Sequence, residues 1–328
     1  MDLICFDLEG PLSPNDNAYE LMKLFPAGGK TFEIISRYDD LLTLEARLDY
    51  EPGDTLALIA PFLIYHGVKE EDIIALAKKA RLTGGAVDLI SKLCIQGWKI
   101  FCISTSYEQY ASRMTQKVGI YSQNVASTIF PLNEASKTLC KDDFNYLEKV
   151  EKDILDMNTT DDEQILKTLD HFYWEELPGT NLGLLMKKVR PLGGQRKVEA
   201  LNCFAQAQGK PLSDWIVIGD SITDFKMLQT VDQAGGLAIA FNANEYVLPY
   251  STMSLASTHI NDLWPVLDAW ERGKHSAVEK LVKGREKIGG SGNRSYLHWL
   301  AGVEDIAIPL EIHKRIRRIV REEAAGLG

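Results

Sequence analysis

Ile4-Cys5-Phe6 is a short apolar run that stops abruptly at Asp7-Leu8-Glu9-Gly10-Pro11. A run this brief, apolar on both faces, reads as a strand buried inside a parallel sheet. Gly10-Pro11 ends it. In extended chain the side chains of Asp7 and Glu9 point to the same side, into the crevice that lies beyond the strand ends of an open α/β sheet. Like charges held so close resist joint ionisation unless a cation or a proton sits between them. Taken alone, the stretch leaves two readings: a metal or acid/base site, or a plain acidic turn.

Downstream, the pattern decides which fold surrounds that strand. From Thr83 a helix over Ala86–Ile95 is followed by the strand Lys99–Ile103, which ends in Ser104-Thr105-Ser106. A helix from Tyr107 to Val118 and a strand over Val125–Phe130 come next. After a gap, the helix Arg196–Gln208 precedes the strand Trp215–Ile218, which runs into Gly219-Asp220-Ser221-Ile222-Thr223-Asp224. Further strands are expected at Gly236–Phe241 and Met253–Ala256. Such alternation is the signature of a parallel α/β sheet.

Two stretches interrupt it. Residues 13–82 carry apolar positions at helical spacing through Tyr19–Phe25, Phe32–Leu48, Thr55–His66 and Glu71–Ala80, with Asp54 a good N-cap for the third helix. Residues 132–190 are strongly helical over Phe144–Met157 and Glu163–Glu176. The expected division is a core of residues 1–12, 83–131 and 191–270, a helical insertion over 13–82, a second over 132–190, and a basic helical extension over 271–328.

Charge and cysteine usage narrow the class of protein. A formal charge of −10 disfavours nucleic-acid binding. Five scattered cysteines without a CxxC pair suit reduced thiols. The chain opens on a strand rather than a signal peptide, and no apolar run approaches about 18 residues. A soluble cytoplasmic protein, away from membranes, is the expectation. From Arg272 onward 12 Lys+Arg stand against 7 Asp+Glu. There the segment 312–321 forms a basic helix with Ile312, Ile316, Ile319 and Val320 on one face. It is expected to dock on the acidic core, on an identical subunit or on another protein. Gly289-Gly290-Ser291-Gly292-Asn293 before it reads as a flexible joint.

Three strand ends carry polar clusters, and all C-terminal strand ends of an open parallel sheet face one crevice. The first supplies Asp7 and Glu9, the second Ser104 and Thr105, the fourth Asp220 and Asp224. Lys197 is the best-placed cation, with Arg196 beside it as a rival. Acids, a hydroxyl and a lysine at one crevice suit a hard, oxygen-loving cation and a phosphoryl group. Asp170, His171 and Glu175 share a helix face but read as solvated surface rather than a metal cluster.

These motifs identify a resemblance. Asp7-Leu8-Glu9-Gly10, the segment from Thr83-Gly84-Gly85 to Ser104, Lys197, and Gly219-Asp220-Ser221-Ile222-Thr223-Asp224 stand in the order of the four motifs of the haloacid dehalogenase (HAD) superfamily. The chain is most similar to its phosphoserine-phosphatase-like members. The resemblance implies a Rossmann-like core with strand order 5-4-1-2-3, a helical cap of the C1 type over 13–82, and a second insertion at the C2 cap position. It also implies a Mg²⁺-dependent phosphatase acting on a small phosphorylated metabolite through an aspartyl-phosphate on Asp7. Glu9 would be the acid/base, and Ser104, Thr105 and Lys197 would bind the phosphoryl group. Asp7, the Glu9 carbonyl, Asp220 and Asp224 would surround the metal. Asp16 falls where a glutamate of phosphoserine phosphatases meets the substrate amine, though a turn residue in Ser13-Pro14-Asn15-Asp16-Asn17 is the preferred reading. Arg37 and Arg47 are candidate cap cations for an anionic substrate or plain solvated residues. Glu9 and Pro11 depart from the commoner pattern, and Pro11 removes a donor from the turn. The start, the insertions and the extension are also similar to an archaeal HAD-like group known as subunit R of an energy-converting hydrogenase. That similarity implies an accessory or interaction role as the alternative, and phosphotransfer to an acceptor alcohol is chemically adjacent to hydrolysis.

Overall fold

The computed structural model, which describes residues 2–137, 139–286 and 295–321, lines seven strands up in one sheet. They are β1 (Leu3–Phe6), β2 (Lys99–Tyr107), β3 (Val125–Thr128), β4 (Trp215–Gly219), β5 (Leu237–Phe241), β6 (Met253–Ser257) and β7 (Ser295–Trp299). Their spatial order is β3-β2-β1-β4-β5-β6-β7, so the expected 5-4-1-2-3 arrangement forms the heart of the sheet. β1 to β6 run parallel, and β7 pairs antiparallel with β6. β1 is buried throughout because it lies between β2 and β4 in the middle of the sheet. Phe6 pairs with both Cys102 and Ile218, so the chain beyond β1 and beyond β4 emerges at one edge, at the point where strand order reverses.

Two helical segments stand over that edge. The first holds α1 (Asn17–Met22), α2 (Gly28–Leu44), α3 (Thr55–Tyr65) and α4 (Glu70–Lys79). Next come α5 (Ala86–Ile95) and α6 (Glu108–Val118), which belong to the sheet alternation. The second segment holds α7 (Leu132–Ala135), α8 (Lys141–Asp156), α9 (Asp162–Asp170), a π-helical turn over His171–Glu176, and α10 (Asn181–Lys188). After it follow α11 (Gln195–Gln208), α12 (Phe225–Gln233), α13 (Trp264–Glu286) and α14 (Ala307–Arg321). α3 is apolar on every side and buried from Thr55 to Ile64, which makes it the pillar of the first segment.

Where the structure departs from the sequence pattern, a specific contact is the reason. Asp54 makes no cap bond. Instead its Oδ2 accepts from Glu51 N–H at 3.0 Å and from Arg196 Nη2 at 3.0 Å. Arg37 and Arg47 are both taken up in ion pairs. Arg37 forks onto Asp162 at 2.9 and 2.7 Å, and Arg47 pairs with Asp170, so both fasten the first helical segment to the second. Asp170 turns inward to Tyr38 and Arg47 while His171 and Glu175 pair at the surface, so the two acids and the imidazole do not converge. Leu12 and Ser13 N–H groups both donate to Leu8 O, closing the turn around Pro11 without a donor from the proline.

The extension differs most. Only helix is expected beyond residue 271, yet β7 adds a strand to the sheet. α14 docks on the core of its own chain by a face turned away from the expected one, sharing Ile316 with it. Ile319 is exposed, and the buried positions are Pro309, His313, Ile316 and Arg317. The expected glycine joint at 289–293 lies outside the described residues. Among the described residues, no helix is long and apolar enough to cross a membrane, and all five cysteines are free.

His313 makes the docking of α14 sensitive to acid. Its Nδ1 accepts the Ala243 N–H at 2.8 Å, and burial, with His298 and Arg317 nearby, pushes its pKa down to about 3. Below the ordinary imidazole value of 6.5 the unfolded chain takes up a proton that the folded chain refuses. Stability from this group is therefore complete above that pH and is lost as pH falls toward 3, by up to about 1.4 kcal/mol per pH unit. Urea unfolding of the wild type and of His313→Gln at about pH 7 and about pH 5 should show the smaller acid-induced loss in the variant. Equal losses in the two proteins would count against this origin.

Candidate active site

Three carboxylates meet where β1 and β4 end. Asp7 follows β1 and its N–H donates to Ile218 O at 2.8 Å, which ties the end of one strand to the end of the other. Asp220 follows β4, and Asp224 is four residues on, at the entrance to α12. Oxygens of Asp7, Asp220 and Asp224 lie within 4.8 Å of one another, and all three residues are buried. Two glycines make this closeness possible. A Cβ on Gly10, whose φ is +95°, would lie 2.3 Å from Asp220 Cγ, and one on Gly219 would lie 2.6 Å from Asp224 Cβ.

Lys197, from the first turn of α11, is the counter-ion. It has no exposed surface, and its Nζ donates to Asp7 Oδ1 at 2.8 Å and to Asp224 Oδ1 at 2.6 Å. Burial pulls the ammonium pKa down, but Asp224 and then Asp7 outweigh burial and raise it. Arg196, its neighbour in sequence, points the other way and binds Asp54 and the Pro191 carbonyl, so the rivalry between the two cations resolves in favour of Lys197. Burial, and then Asp224, pushes the Asp7 carboxyl upward against the pull of Lys197.

The oxygens divide into engaged and open. Asp224 Oδ1 is held by Lys197, and its Oδ2 accepts the N–H groups of Asp220 and Ser221 at 3.0 and 3.2 Å. Both of its oxygens therefore hold the loop together. Asp220 Oδ2 accepts from Arg317 at 2.8 Å and Arg321 at 2.6 Å, whereas Asp220 Oδ1 is buried with no hydrogen-bond partner. A buried carboxylate oxygen without a donor costs free energy, and a hard cation is the natural partner for it. The residues present suit Mg²⁺ at Asp7 and Asp220, with Asp224 as their support.

A cavity of about 130 Å³ opens over these groups. It is smaller than the roughly 300–1,000 Å³ of sites for drug-sized ligands. Asp7, Glu9, Thr105, Ser106 and Asp220 line its floor, and Asp16, Asn17, Ser36, Asp39 and Asp40 its helical roof. Glu9 Oε1 accepts the Asn17 N–H at 2.8 Å; burial and then Asp16 push the Glu9 pKa up to about 7. A carboxyl poised near neutrality can both give and take a proton. Ser104 lies beneath the wall rather than on it, with its Oγ accepting the Ser106 N–H at 3.1 Å. Thr105 is on the wall, its Oγ1 donating to Leu192 O at 3.1 Å. Asp16 lines the cavity too, but one of its oxygens serves as the N-cap of α1, accepting from Tyr19 N–H at 2.9 Å.

Four contributors escaped the sequence pattern. Ser106 stands one residue beyond the two hydroxyls singled out. Asn17, whose buried carboxamide has no partner, carries no motif. Arg317 and Arg321, both on the cavity wall, come from α14. Their i, i+4 spacing was the available signal, since it places both on one face of a helix.

A gene product of Archaeoglobus fulgidus of known structure is 27% identical, with 100% of this chain and 99% of that one covered at a TM-score of 0.86. A substrate-bound phosphoserine phosphatase is 17% identical, with 80% of this chain and 97% of that one covered at a TM-score of 0.52. A phospho-aspartyl intermediate analogue of phosphoserine phosphatase is 18% identical at coverages of 80% and 97% and a TM-score of 0.50. No family model and no curated protein matches the chain. The phosphoserine phosphatases thus share its fold.

The packing at Gly10 is open to test. Gly10→Ala combines a disfavoured φ with a clash against Asp220 and is expected to lower the unfolding free energy by more than about 1 kcal/mol. An unchanged urea midpoint would contradict the packing described.

Proposed function

We propose, from the HAD fold of the phosphoserine-phosphatase kind that this chain adopts, that it is a Mg²⁺-dependent hydrolase of small phosphomonoesters. The observation that carries the proposal is the buried Asp7–Lys197–Asp224 bridge beside Asp220 Oδ1, which accepts no hydrogen bond. Lys197 holds Asp7 Oδ1, so attack falls to the other carboxylate oxygen. That oxygen forms a bond to phosphorus as the ester P–O bond breaks, giving an aspartyl-phosphate and dividing one displacement into two easier ones. Glu9 gives its proton to the departing alkoxide. It then takes a proton from the water that attacks the aspartyl-phosphate, which returns Asp7 and releases phosphate.

The Ser106 hydroxyl donates to a phosphoryl oxygen beside Thr105, whose own proton goes to Leu192 O, and Ser104 fixes the chain beneath them. Lys197 balances the charge that develops as phosphorus is attacked. A bound Mg²⁺, held by Asp7, the Glu9 carbonyl and Asp220, would neutralise the phosphoryl oxygens. The acidic roof, with Asp16, Asp39 and Asp40, disfavours a leaving group that carries a second anion.

Three results bear on this reading. A panel of phosphomonoesters should be turned over with Mg²⁺ and not in EDTA, with neutral or amine-bearing leaving groups ahead of bisphosphates. Asp7→Asn should form no acid-stable phosphoenzyme and show no turnover. Glu9→Gln should lower kcat by about 10²- to 10⁴-fold. Wild-type activity in Asp7→Asn, or an inert wild type across the panel, would sink the proposal.

A further inference from the structure

α14 brings two guanidinium groups to a single carboxylate oxygen. Arg317 Nη1 donates to Asp220 Oδ2 at 2.8 Å, to the Asp220 carbonyl at 3.1 Å and to the Asn242 carbonyl at 3.3 Å. Arg321 Nη2 donates to the same Oδ2 at 2.6 Å. The two side chains are only 5% and 8% exposed, so water screens them little. Burial, and then Arg321, pushes the Arg317 pKa down to about 10. Arg321 also lies near enough to Glu9 to draw that carboxyl downward.

Charge accounting shows what this arrangement prefers. In the directly bonded cluster Asp7, Asp220 and Asp224 face Lys197, Arg317 and Arg321, three carboxylates against three cations. A divalent cation entering alone would meet a cluster already balanced and would add charge in a poorly screened place. A phosphoryl dianion entering with it restores the balance. Arg317 is tied to two main-chain carbonyls as well as to Asp220, so it serves to position that carboxylate. Arg321 reaches only the side chain of Asp220, at Oδ2, among the described residues, and lies on the wall of the cavity.

We infer that α14 is a working part of this site, in which Arg321 binds the phosphoryl anion and makes the binding of divalent cation and phosphate mutually dependent. The inference rests on the phosphohydrolase reading of the cavity. A planar fork of donors suits tetrahedral oxyanions, and this one is supplied from beyond the last parallel strand.

Isothermal titration with Mg²⁺ and inorganic phosphate, each alone and both together, tests it without turnover. In the wild type, saturating phosphate should tighten Mg²⁺ binding by at least about tenfold, and Mg²⁺ should tighten phosphate binding by the same factor. In Arg321→Gln, Mg²⁺ alone should bind at least about tenfold tighter than to the wild type, because a neighbouring positive charge is gone. Phosphate binding in the presence of Mg²⁺ should weaken by at least about tenfold. Arg321→Lys keeps the charge and should leave Mg²⁺ affinity near the wild-type value, which guards against a glutamine variant that does not fold. A merely structural arginine would move both affinities in the same direction. Failure of either opposed change, or independent binding of the two ions to the wild type, overturns the inference and leaves the phosphohydrolase reading standing. If neither ion binds the wild type in any combination, that reading falls and the inference with it.

Discussion

The ammonium of Lys197 bridges the carboxylates that follow both strand ends at the site. It is wholly buried and bonded to Asp7 after β1 and to Asp224 after β4. Removing one partner of a buried pair typically costs about 3–5 kcal/mol, because the survivor keeps its charge without compensation. The bridge therefore depends on three segments arriving together, Asp7 and Lys197 being 190 positions apart in the chain. It also spares one oxygen of Asp7. In the proposed reaction that is the oxygen that would attack phosphorus, while the other keeps the carboxylate in place.

The sheet fixes where these groups meet, and the two helical segments fix what reaches them. Arg37–Asp162, Arg47–Asp170 and the His66–Glu151 contact at 2.8 Å fasten the first segment to the second. Tyr38 and Tyr173 stack at 5.9 Å behind them. The second segment thus stiffens the roof from outside rather than lining the cavity, which stays small.

Much of the floor was legible because it depends on local patterns. A buried strand that stops at Asp7-Leu8-Glu9-Gly10 can place its acids only at the crevice, and the same logic places Asp220 and Asp224 after Trp215–Ile218. The strand periodicity located β1 to β6 for the same reason. What the sequence did not reveal depends on partners distant in the chain. Asp54 looks like a helix cap, yet Arg196 claims it, 142 residues away. Ser104 looks like the last residue of its strand, but β2 runs on to Tyr107, so the wall falls to Thr105 and Ser106. α14 looks amphipathic along its isoleucines, and the helix turns instead to bury His313 and Arg317. Hydrophobic periodicity favours the apolar face; the ion pairs of Arg317 and Arg321 with one oxygen of Asp220 outweigh it here.

That reversal ties the extension to the site in both directions. Arg321 and Asp220 are 101 residues apart, and their contact exists only while α14 is docked. Whatever binds the docked form but not the undocked one stabilises docking by mass action, so an anion held by Arg321 would also hold the helix in place. Conversely, loss of docking through protonation of His313 would strip two cations from Asp220 and leave its carboxylate crowded by Asp7 and Asp224. Docking of α14 and the charge state of the carboxylate cluster are therefore one linked equilibrium, carried by the two arginines on a single oxygen.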